Sequence, residues 1–200
     1  MAIIVVGGGG RGAGKTALVC GLMRALPEIQ WTAVKITTHE HGRETPIWEE
    51  TTPGQETDTA RYLSAGARRA LLVTPRLVTA GAMRPDEGSL GPIVEKILRE
   101  CGIKRDADEG GTIESGVIFE SNSVLGHVRP DICLCAALSP WAEMKASYDL
   151  ALEHADAMVE LAGHDHIIEA ETITFRLASL ERVSPVMVDW LKERLSDREP

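Results

Sequence analysis

The stretch that decides the fold lies at the N-terminus, where the chain reads Ile3-Ile4-Val5-Val6 and, two residues later, Gly9-Gly10-Arg11-Gly12-Ala13-Gly14-Lys15-Thr16. The second part fits the Walker A pattern G-x-x-x-x-G-K-[S/T] without a mismatch. Apolar residues at helical spacing follow it until Pro27, and the apolar run before it is typical of a buried strand. Strand, glycine-rich turn and helix form the setting that this pattern requires. We therefore predict a phosphate-binding loop (P-loop).

Each residue type in this loop has a chemical role. Glycines let successive backbone N–H groups turn inward around an anion, and the helix N-terminus adds partial positive charge. Lys15 is expected to reach the β- and γ-phosphates, and the Thr16 hydroxyl to coordinate Mg²⁺. Arg11 either assists a phosphate or points to solvent, and a flexible glycine turn without a ligand is the alternative to the whole motif. The predicted site, for ATP or GTP with Mg²⁺, comprises Gly9, Gly10, Arg11, Gly12, Ala13, Gly14, Lys15, Thr16 and Ala17.

An acidic residue at the end of a neighbouring strand would complete such a site, by holding the Mg²⁺ shell or the attacking water. Glu120 follows three apolar strand residues and should emerge at the carboxyl edge of the sheet beside the phosphates. Asp131 is a competitor, but it begins its strand and would lie at the opposite edge. We predict that Glu120 is catalytic together with Lys15 and binds metal together with Thr16. A structural role for Glu120 is the alternative, and Asn122 is a candidate for orienting the loop.

The composition indicates which classes of protein this chain can belong to. The 200 residues are 44% hydrophobic and 26% charged, which indicates a folded globular chain. The net charge of −9 would repel nucleic acid, and no run approaches the ~18 apolar residues of a membrane span. No secretory signal is visible, so we expect a cytoplasmic protein with reduced thiols. Cys133 and Cys135 are predicted to lie on one core-facing side of a strand, with a metal or redox role as the alternative.

Short apolar runs alternate with helical patterns along the chain. We predict a doubly wound α/β fold with a mainly parallel sheet between two helical layers, as in P-loop NTPases. One domain spans residues 1–200, with 140–200 as a C-terminal elaboration. The predicted strands are 3–6, 32–36, 70–73, 116–119, 131–138, 157–161 and 173–177. The predicted helices are 17–26, 58–65, 91–101, 143–154 and one that begins at Ser184.

A long polar segment, residues 37–57, follows the second predicted strand on the functional edge of the sheet. Loops of this length in compact domains are usually functional or mobile, so we expect a lid that becomes ordered around ligands, with Ile47 and Trp48 as its anchors. His39 and His41 share a side of an extended chain but supply only half of a metal site, and solvent-exposed histidines are the alternative. The candidates for binding a second ligand are Lys35, His39, His41, Asp58 and Arg61.

In its order of motifs the chain resembles the MobB family of P-loop proteins, which is associated with attachment of a guanine nucleotide to molybdopterin. The resemblance rests on the P-loop, on residues 34–41 (Val-Lys-Ile-Thr-Thr-His-Glu-His) and on residues 58–67 (Asp-Thr-Ala-Arg-Tyr-Leu-Ser-Ala-Gly-Ala). It covers roughly the first 140 residues. Glu120-Ser121 stands where the family carries Glu-Gly, and the N-K-x-D motif with which related GTPases read guanine is absent.

The resemblance implies a Mg²⁺-dependent ATP- or GTP-binding protein that acts in molybdenum cofactor maturation, as a slow NTPase or a nucleotide-gated adaptor. Its implied partners are molybdopterin and a nucleotidyltransferase, and because related P-loop proteins are often dimers, a homodimer is a further expectation. Two other readings stay open. The chain could be a small-molecule kinase that binds its acceptor with residues 37–57 and the helix from Asp58. It could also be a non-catalytic interaction module that keeps the P-loop for stability.

Overall fold

The computed structural model describes residues 1–10, 12–37, 45–75, 89–102, 113–137, 147–162 and 173–197. Its strands are β1 (Ala2–Gly8), β2 (Gln30–Ile36), β3 (Ile47–Glu50), β4 (Arg69–Val73), β5 (Ser115–Glu120), β6 (Ile132–Ala137), β7 (Ala157–Leu161) and β8 (Ile173–Leu177). Its helices are α1 (Lys15–Ala25), α2 (Asp58–Ser64), α3 (Leu90–Glu100), α4 (Ser147–Glu153) and α5 (Pro185–Ser196).

The strands form one sheet in the order β3-β4-β2-β5-β1-β6-β7-β8. Among the strands of the described residues, seven neighbouring strands run parallel, and β3 runs antiparallel to β4 at the edge. Parallel strands need crossover connections, which place helices over both faces of the sheet. β1 lies between β5 and β6, so the loop that leaves β1 emerges at the carboxyl edge near the middle of the sheet.

The core consists of two apolar layers, one on each face of the sheet. Along β1 the side chains alternate, so that Ile4 and Val6 face one layer and Val5 faces the other. Helices α1, α2 and α5 cover the first face, and α3 and α4 cover the second. This three-layer arrangement confirms the predicted α/β class. The buried cysteines Cys133 and Cys135 both face the second layer, as residues two apart on a strand must.

Each predicted strand and helix corresponds to an observed one, with differences of a few residues at the ends. Residue 138 of the predicted strand 131–138 and residues 143–146 of the predicted helix 143–154 lie outside the described residues. The interpretation of residues 37–57 as one long loop is wrong, because β3 lies within it and pairs with β4 from Ile47↔Val73 to Glu50↔Ala70. Ile47 packs against the second core layer. The sequence does not predict β3, because two adjacent apolar residues followed by two glutamates show neither strand nor helix periodicity.

The helices of the described ranges include none with the length and apolar character needed to cross a membrane. The C-terminal elements continue the main sheet, because β7 pairs with β6 and β8 pairs with β7. Helix α5 then packs on the first core layer through Met187, Leu191 and Leu195.

Candidate nucleotide-binding site

The Walker A residues connect β1 to α1 at the carboxyl edge of the sheet. Gly12 and Gly14 have φ angles of 81° and 78°, in the left-handed region that residues with a Cβ rarely adopt. Gly14 is the N-cap of α1 and its carbonyl accepts the first helical hydrogen bond, from Leu18 N at 2.9 Å. Lys15 Nζ donates to the carbonyl oxygen of Gly10 at 2.7 Å. The Lys15 side chain therefore folds back along the loop whose N–H groups would receive phosphate.

The side chain of Asn122 hydrogen-bonds to the backbone at the start of this loop. Its amide Nδ2 donates to the Gly8 carbonyl at 3.0 Å, and its Oδ1 accepts from Gly8 N at 2.9 Å. Asp131, the competitor for the catalytic acid, lies at the other edge of the sheet, where its Oδ2 accepts from Ile3 N at 2.6 Å. Because Asp131 precedes β6, it lies at the sheet edge opposite the P-loop.

Glu120 is the last residue of β5 and lies directly beside β1, in register with Val6. Its carboxylate is buried under the P-loop and accepts three side-chain hydrogen bonds. The Thr16 hydroxyl donates to Oε2 at 2.7 Å, the Tyr62 hydroxyl donates to the same oxygen, and Lys35 Nζ donates to Oε1. The predicted metal-binding pair, Thr16 and Glu120, is therefore in direct contact.

Lys35 joins this acid to a second carboxylate. The parallel register of β2 and β5 places Lys35 opposite Glu120, and its Nζ also lies 3.0 Å from Asp58 Oδ2. Asp58 is the first residue of α2, whose N-cap Thr57 accepts a hydrogen bond from Ala60 N at 3.1 Å.

The charges in the cluster stabilise one another. Burial favours the neutral form of Lys35, but Glu120 and Asp58 outweigh it and hold the pKa of the Lys35 amine above its usual value. Burial also opposes ionisation of Asp58, yet Lys35 keeps the pKa of this carboxyl below its usual value. The pKa of Tyr62 is raised well above its usual value by complete burial and by the negative charge of Glu120. Tyr62 is therefore a permanent hydrogen-bond donor at neutral pH.

The sequence prediction of the cluster is incomplete. Tyr62 was missed, because an aromatic residue inside an amphipathic helix normally indicates core packing, and only its hydroxyl contact distinguishes it. Arg61, a predicted second-ligand residue, directs its guanidinium to Glu181 at 2.9 Å. Arg11, His39 and His41 lie outside the described residues.

The donor set fits Mg²⁺. Thr16, Glu120 and Asp58 offer hydroxyl and carboxylate oxygens, the hard ligands that this ion takes. In the described ranges no three or more His, Cys, Asp and Glu side chains form a metal-binding group. A Mg²⁺ site of the P-loop type needs only one or two protein carboxylates, because substrate phosphates and waters complete the shell.

Comparison with solved structures gives a likeness in fold. No model of a known protein family matches the sequence, and no curated protein matches it. Among solved structures, LpxK from Aquifex aeolicus, crystallised in complex with ATP, superposes with a TM-score of 0.50 at 14% sequence identity. The superposition covers 88% of this chain and 53% of the LpxK chain, so this protein spans about half the length of that structure. At this identity the likeness shows the P-loop NTPase fold alone.

Proposed function

We propose that this protein binds a nucleoside triphosphate with Mg²⁺ at the P-loop and cleaves or transfers its γ-phosphate. One observation carries the proposal: the Walker A hydroxyl, Thr16 Oγ1, lies 2.7 Å from Oε2 of a buried glutamate on the adjacent strand. A glycine turn that served only to connect a strand to a helix would not need a buried carboxylate beneath its final threonine, because burying a charge is costly. Metal–phosphate binding would account for this pair, and the contact therefore supports the proposal.

Different residues of the site would bind the phosphates and the metal ion. The backbone N–H groups of residues 12–16 and the positive end of α1 receive the phosphate oxygens. Lys15, now held by the Gly10 carbonyl, is close enough to turn toward the β- and γ-phosphates. Thr16 and Glu120 would hold Mg²⁺, which when bound neutralises charge on the β- and γ-phosphate oxygens. Asn122 fixes the start of the loop, because its side-chain amide hydrogen-bonds to both the N–H and the carbonyl of Gly8.

Nucleotide titration tests this proposal. A fluorescent ATP analogue and its GTP counterpart would be titrated against the protein with Mg²⁺ and again with EDTA. We expect saturable binding that is weakened about tenfold by EDTA, because the metal links the phosphates to Thr16 and Glu120. Thr16→Ala should bind as weakly with Mg²⁺ as the unaltered protein does with EDTA. Failure of the unaltered protein to bind either nucleotide would refute the proposal.

A small-molecule kinase is a second candidate, favoured by the position of Asp58 and Lys35. These two side chains extend from Glu120 toward solvent, where an acceptor could approach the γ-phosphate. Parallel measurement of ADP and of inorganic phosphate separates the two activities. An NTPase releases both in equal amounts without any addition, whereas a kinase forms ADP only when its acceptor is supplied.

The role in molybdenum cofactor maturation is the most specific form of the proposal. Its support is the resemblance of residues 34–41 and 58–67 to MobB proteins, and these segments include Lys35 and Asp58. Turnover of ATP or GTP would be measured with and without molybdopterin and with an extract containing a nucleotidyltransferase. Stimulation by molybdopterin favours this role, and its absence favours the general NTPase.

A further inference from the structure

The segment between β8 and α5, residues 178–184, lies directly against helix α1. A Cβ built on Gly21 of α1 would lie 2.4 Å from the carbonyl oxygen of Leu180 and 3.2 Å from the Cα of Glu181. Leu180 is 5% exposed and belongs to the first core layer. The backbone that carries the Glu181 side chain is therefore fixed on α1.

The Glu181 carboxylate connects two helices. Its Oε2 accepts a hydrogen bond from Arg24 Nη1 of α1 at 3.0 Å, and its Oε1 accepts one from Arg61 Nη2 of α2 at 2.9 Å. Each carboxylate oxygen is thus paired with a guanidinium group from a different helix. Because the backbone of Glu181 is fixed on α1, its ion pair with Arg61 also fixes the position of α2.

The same two helices meet again at the nucleotide site. Thr16 of α1 and Tyr62 of α2 both donate hydrogen bonds from their hydroxyl groups to Oε2 of Glu120. Tyr62 directly follows Arg61 in α2, so a displacement of the helix at Arg61 also displaces the Tyr62 ring. The hydrogen bonds of Glu120 therefore depend on how closely α2 packs against α1.

The loss of the Glu181 charge would leave two positive charges close together. Arginine stays protonated throughout the pH range of folded proteins, so Arg24 and Arg61 would repel each other once the group between them is neutral. The side chains of all three residues are partly exposed, and an exposed ion pair alone contributes little to stability. The effect of this carboxylate should therefore appear in the spacing of α1 and α2 more than in the overall stability.

We propose that Glu181 is a positioning residue of the nucleotide site, because it fixes α2 against α1 and so keeps Tyr62 hydrogen-bonded to Glu120. This inference rests on the proposed function, in which Glu120 and Thr16 hold Mg²⁺. When Tyr62 is displaced, the Glu120 carboxylate loses a donor that orients it toward Thr16. Partners of this kind set the orientation of metal ligands, so their loss weakens metal binding.

The environment of Tyr62 can be measured without nucleotide. The chain contains two tyrosines, so labelling the tyrosine rings with carbon-13 gives few NMR signals, and Tyr62→Phe identifies the signal of Tyr62. We expect this signal to shift in Glu181→Gln, which keeps the shape of the side chain but removes its charge. The signal should stay unchanged in Glu28→Gln, the matched control, because Glu28 pairs with Lys192 of α5 outside the site.

The Mg²⁺ requirement of nucleotide binding tests the functional consequence. Binding of a fluorescent ATP analogue to the full chain would be measured at increasing Mg²⁺ concentrations. We expect Glu181→Gln to need about fivefold more Mg²⁺ for half-maximal binding, somewhat less than removal of a direct partner of a metal ligand costs. Glu28→Gln should match the unaltered protein. In a Tyr62→Phe background, Glu181→Gln should change the requirement by less than about twofold, because Glu181 acts through the Tyr62 hydroxyl.

Arg24→Gln tests the repulsion between the two arginines. Added to Glu181→Gln, it should return the Tyr62 signal toward that of the unaltered protein. If Glu181→Gln does not fold, Arg61→Gln breaks the same link from α2 and should shift the same signal. An unchanged Tyr62 signal or Mg²⁺ requirement in Glu181→Gln overturns the inference, and so does a Mg²⁺ effect that persists in full in the Tyr62→Phe background. Failure of the unaltered protein to bind ATP with Mg²⁺ refutes the proposed function itself, so the two failures are distinct.

Discussion

Glu120 illustrates what a single buried carboxylate demands of its surroundings. Removing an ionised carboxylate from water costs several kcal/mol, and the attraction of an opposite charge repays this only when hydrogen bonds satisfy its oxygens. Lys35 provides the charge, while Thr16 and Tyr62 provide the hydrogen bonds. The protein therefore maintains a carboxylate at a position where an apolar residue would be less costly, and this cost supports the proposed functional role of Glu120.

Substitution of Lys15 tests the P-loop at the scale of one residue. Lys15→Ala should abolish binding of a fluorescent ATP analogue while the thermal unfolding temperature stays close to that of the unaltered protein. The reason is that Lys15 sits at the rim of the loop and contacts Gly10 rather than the core. Lys192→Ala, which removes a surface lysine paired with Glu28, is the control. Unchanged affinity in a folded Lys15→Ala protein would rule out the P-loop assignment.

Substitution of Glu120 should alter both turnover and stability. In Glu120→Gln the amide retains the shape but presents N–H groups to a site filled with donors. We expect turnover to fall about a hundredfold with a much smaller change in nucleotide affinity. The free energy of unfolding should decrease by about 1–3 kcal/mol, because Lys35 loses one of its two carboxylate partners. Steady-state kinetics and chemical denaturation measure the two effects, and unchanged turnover would move the role to another acid.

At the scale of elements, the short helix α2 sets the position of Asp58. Thr57 caps this helix, and replacing an N-cap threonine with alanine typically costs about 1 kcal/mol. Thr57→Ala should therefore lower the free energy of unfolding by about that amount and reduce turnover more than nucleotide affinity. Ser184→Ala, which removes the equivalent cap of α5, serves as the control: it should lower stability similarly and leave turnover unchanged. Equal effects of both variants on turnover would contradict a specific link between α2 and the site.

Because β3 is part of the sheet, we no longer expect residues 47–50 to act as a lid that orders only around ligands. The backbone of β3 pairs with β4, and Thr74 N donates to the Pro46 carbonyl at 2.9 Å, so this part is a fixed element. Hydrogen exchange in the protein without nucleotide should be slow at the paired amides of β3, in contrast to a lid that orders only around ligands. Fast exchange throughout residues 47–50 that slows after addition of ATP and Mg²⁺ would restore the lid interpretation.

At the scale of the whole molecule, the N-terminal and C-terminal parts approach each other very closely at Gly21 of α1. A Cβ built on Gly21 of α1 would lie 2.4 Å from the carbonyl oxygen of Leu180, in the segment between β8 and α5. Replacing a helical glycine with alanine normally stabilises a helix by about 1 kcal/mol, but here the added methyl would push two segments apart.

Gly21→Ala should therefore destabilise the protein by about 1–3 kcal/mol, as overpacking does, and lower the unfolding temperature by about 2–4 °C per kcal/mol. Thermal denaturation followed by circular dichroism provides the measurement. Gly126→Ala is the matched control, because its Cβ would meet no atom within 4 Å. Stabilisation by Gly21→Ala would show that the C-terminal segment does not pack tightly on α1.

Much of the fold could be read from the sequence because its signals are local. The P-loop is eight consecutive residues between an apolar run and an amphipathic helix, and most of the described strands contain a short apolar run bounded by polar or turn residues. The placement of Glu120 at the carboxyl edge followed from its position after such a run. These features depend on residues that are neighbours in the chain, so they can be predicted from local sequence patterns.

The remaining features depend on partners far apart in the chain. Lys35 and Tyr62 meet Glu120, and Asp58 meets Lys35, only because β2 pairs with β5 in one particular register and α2 packs over that edge. The pairing of β3 with β4 and the packing of Gly21 on Leu180 likewise join segments that no local pattern connects. The sequence by itself determined the phosphate loop and the layered α/β architecture, whereas the tertiary structure decided which side chains surround Glu120, because strand register and helix packing are properties of the whole core.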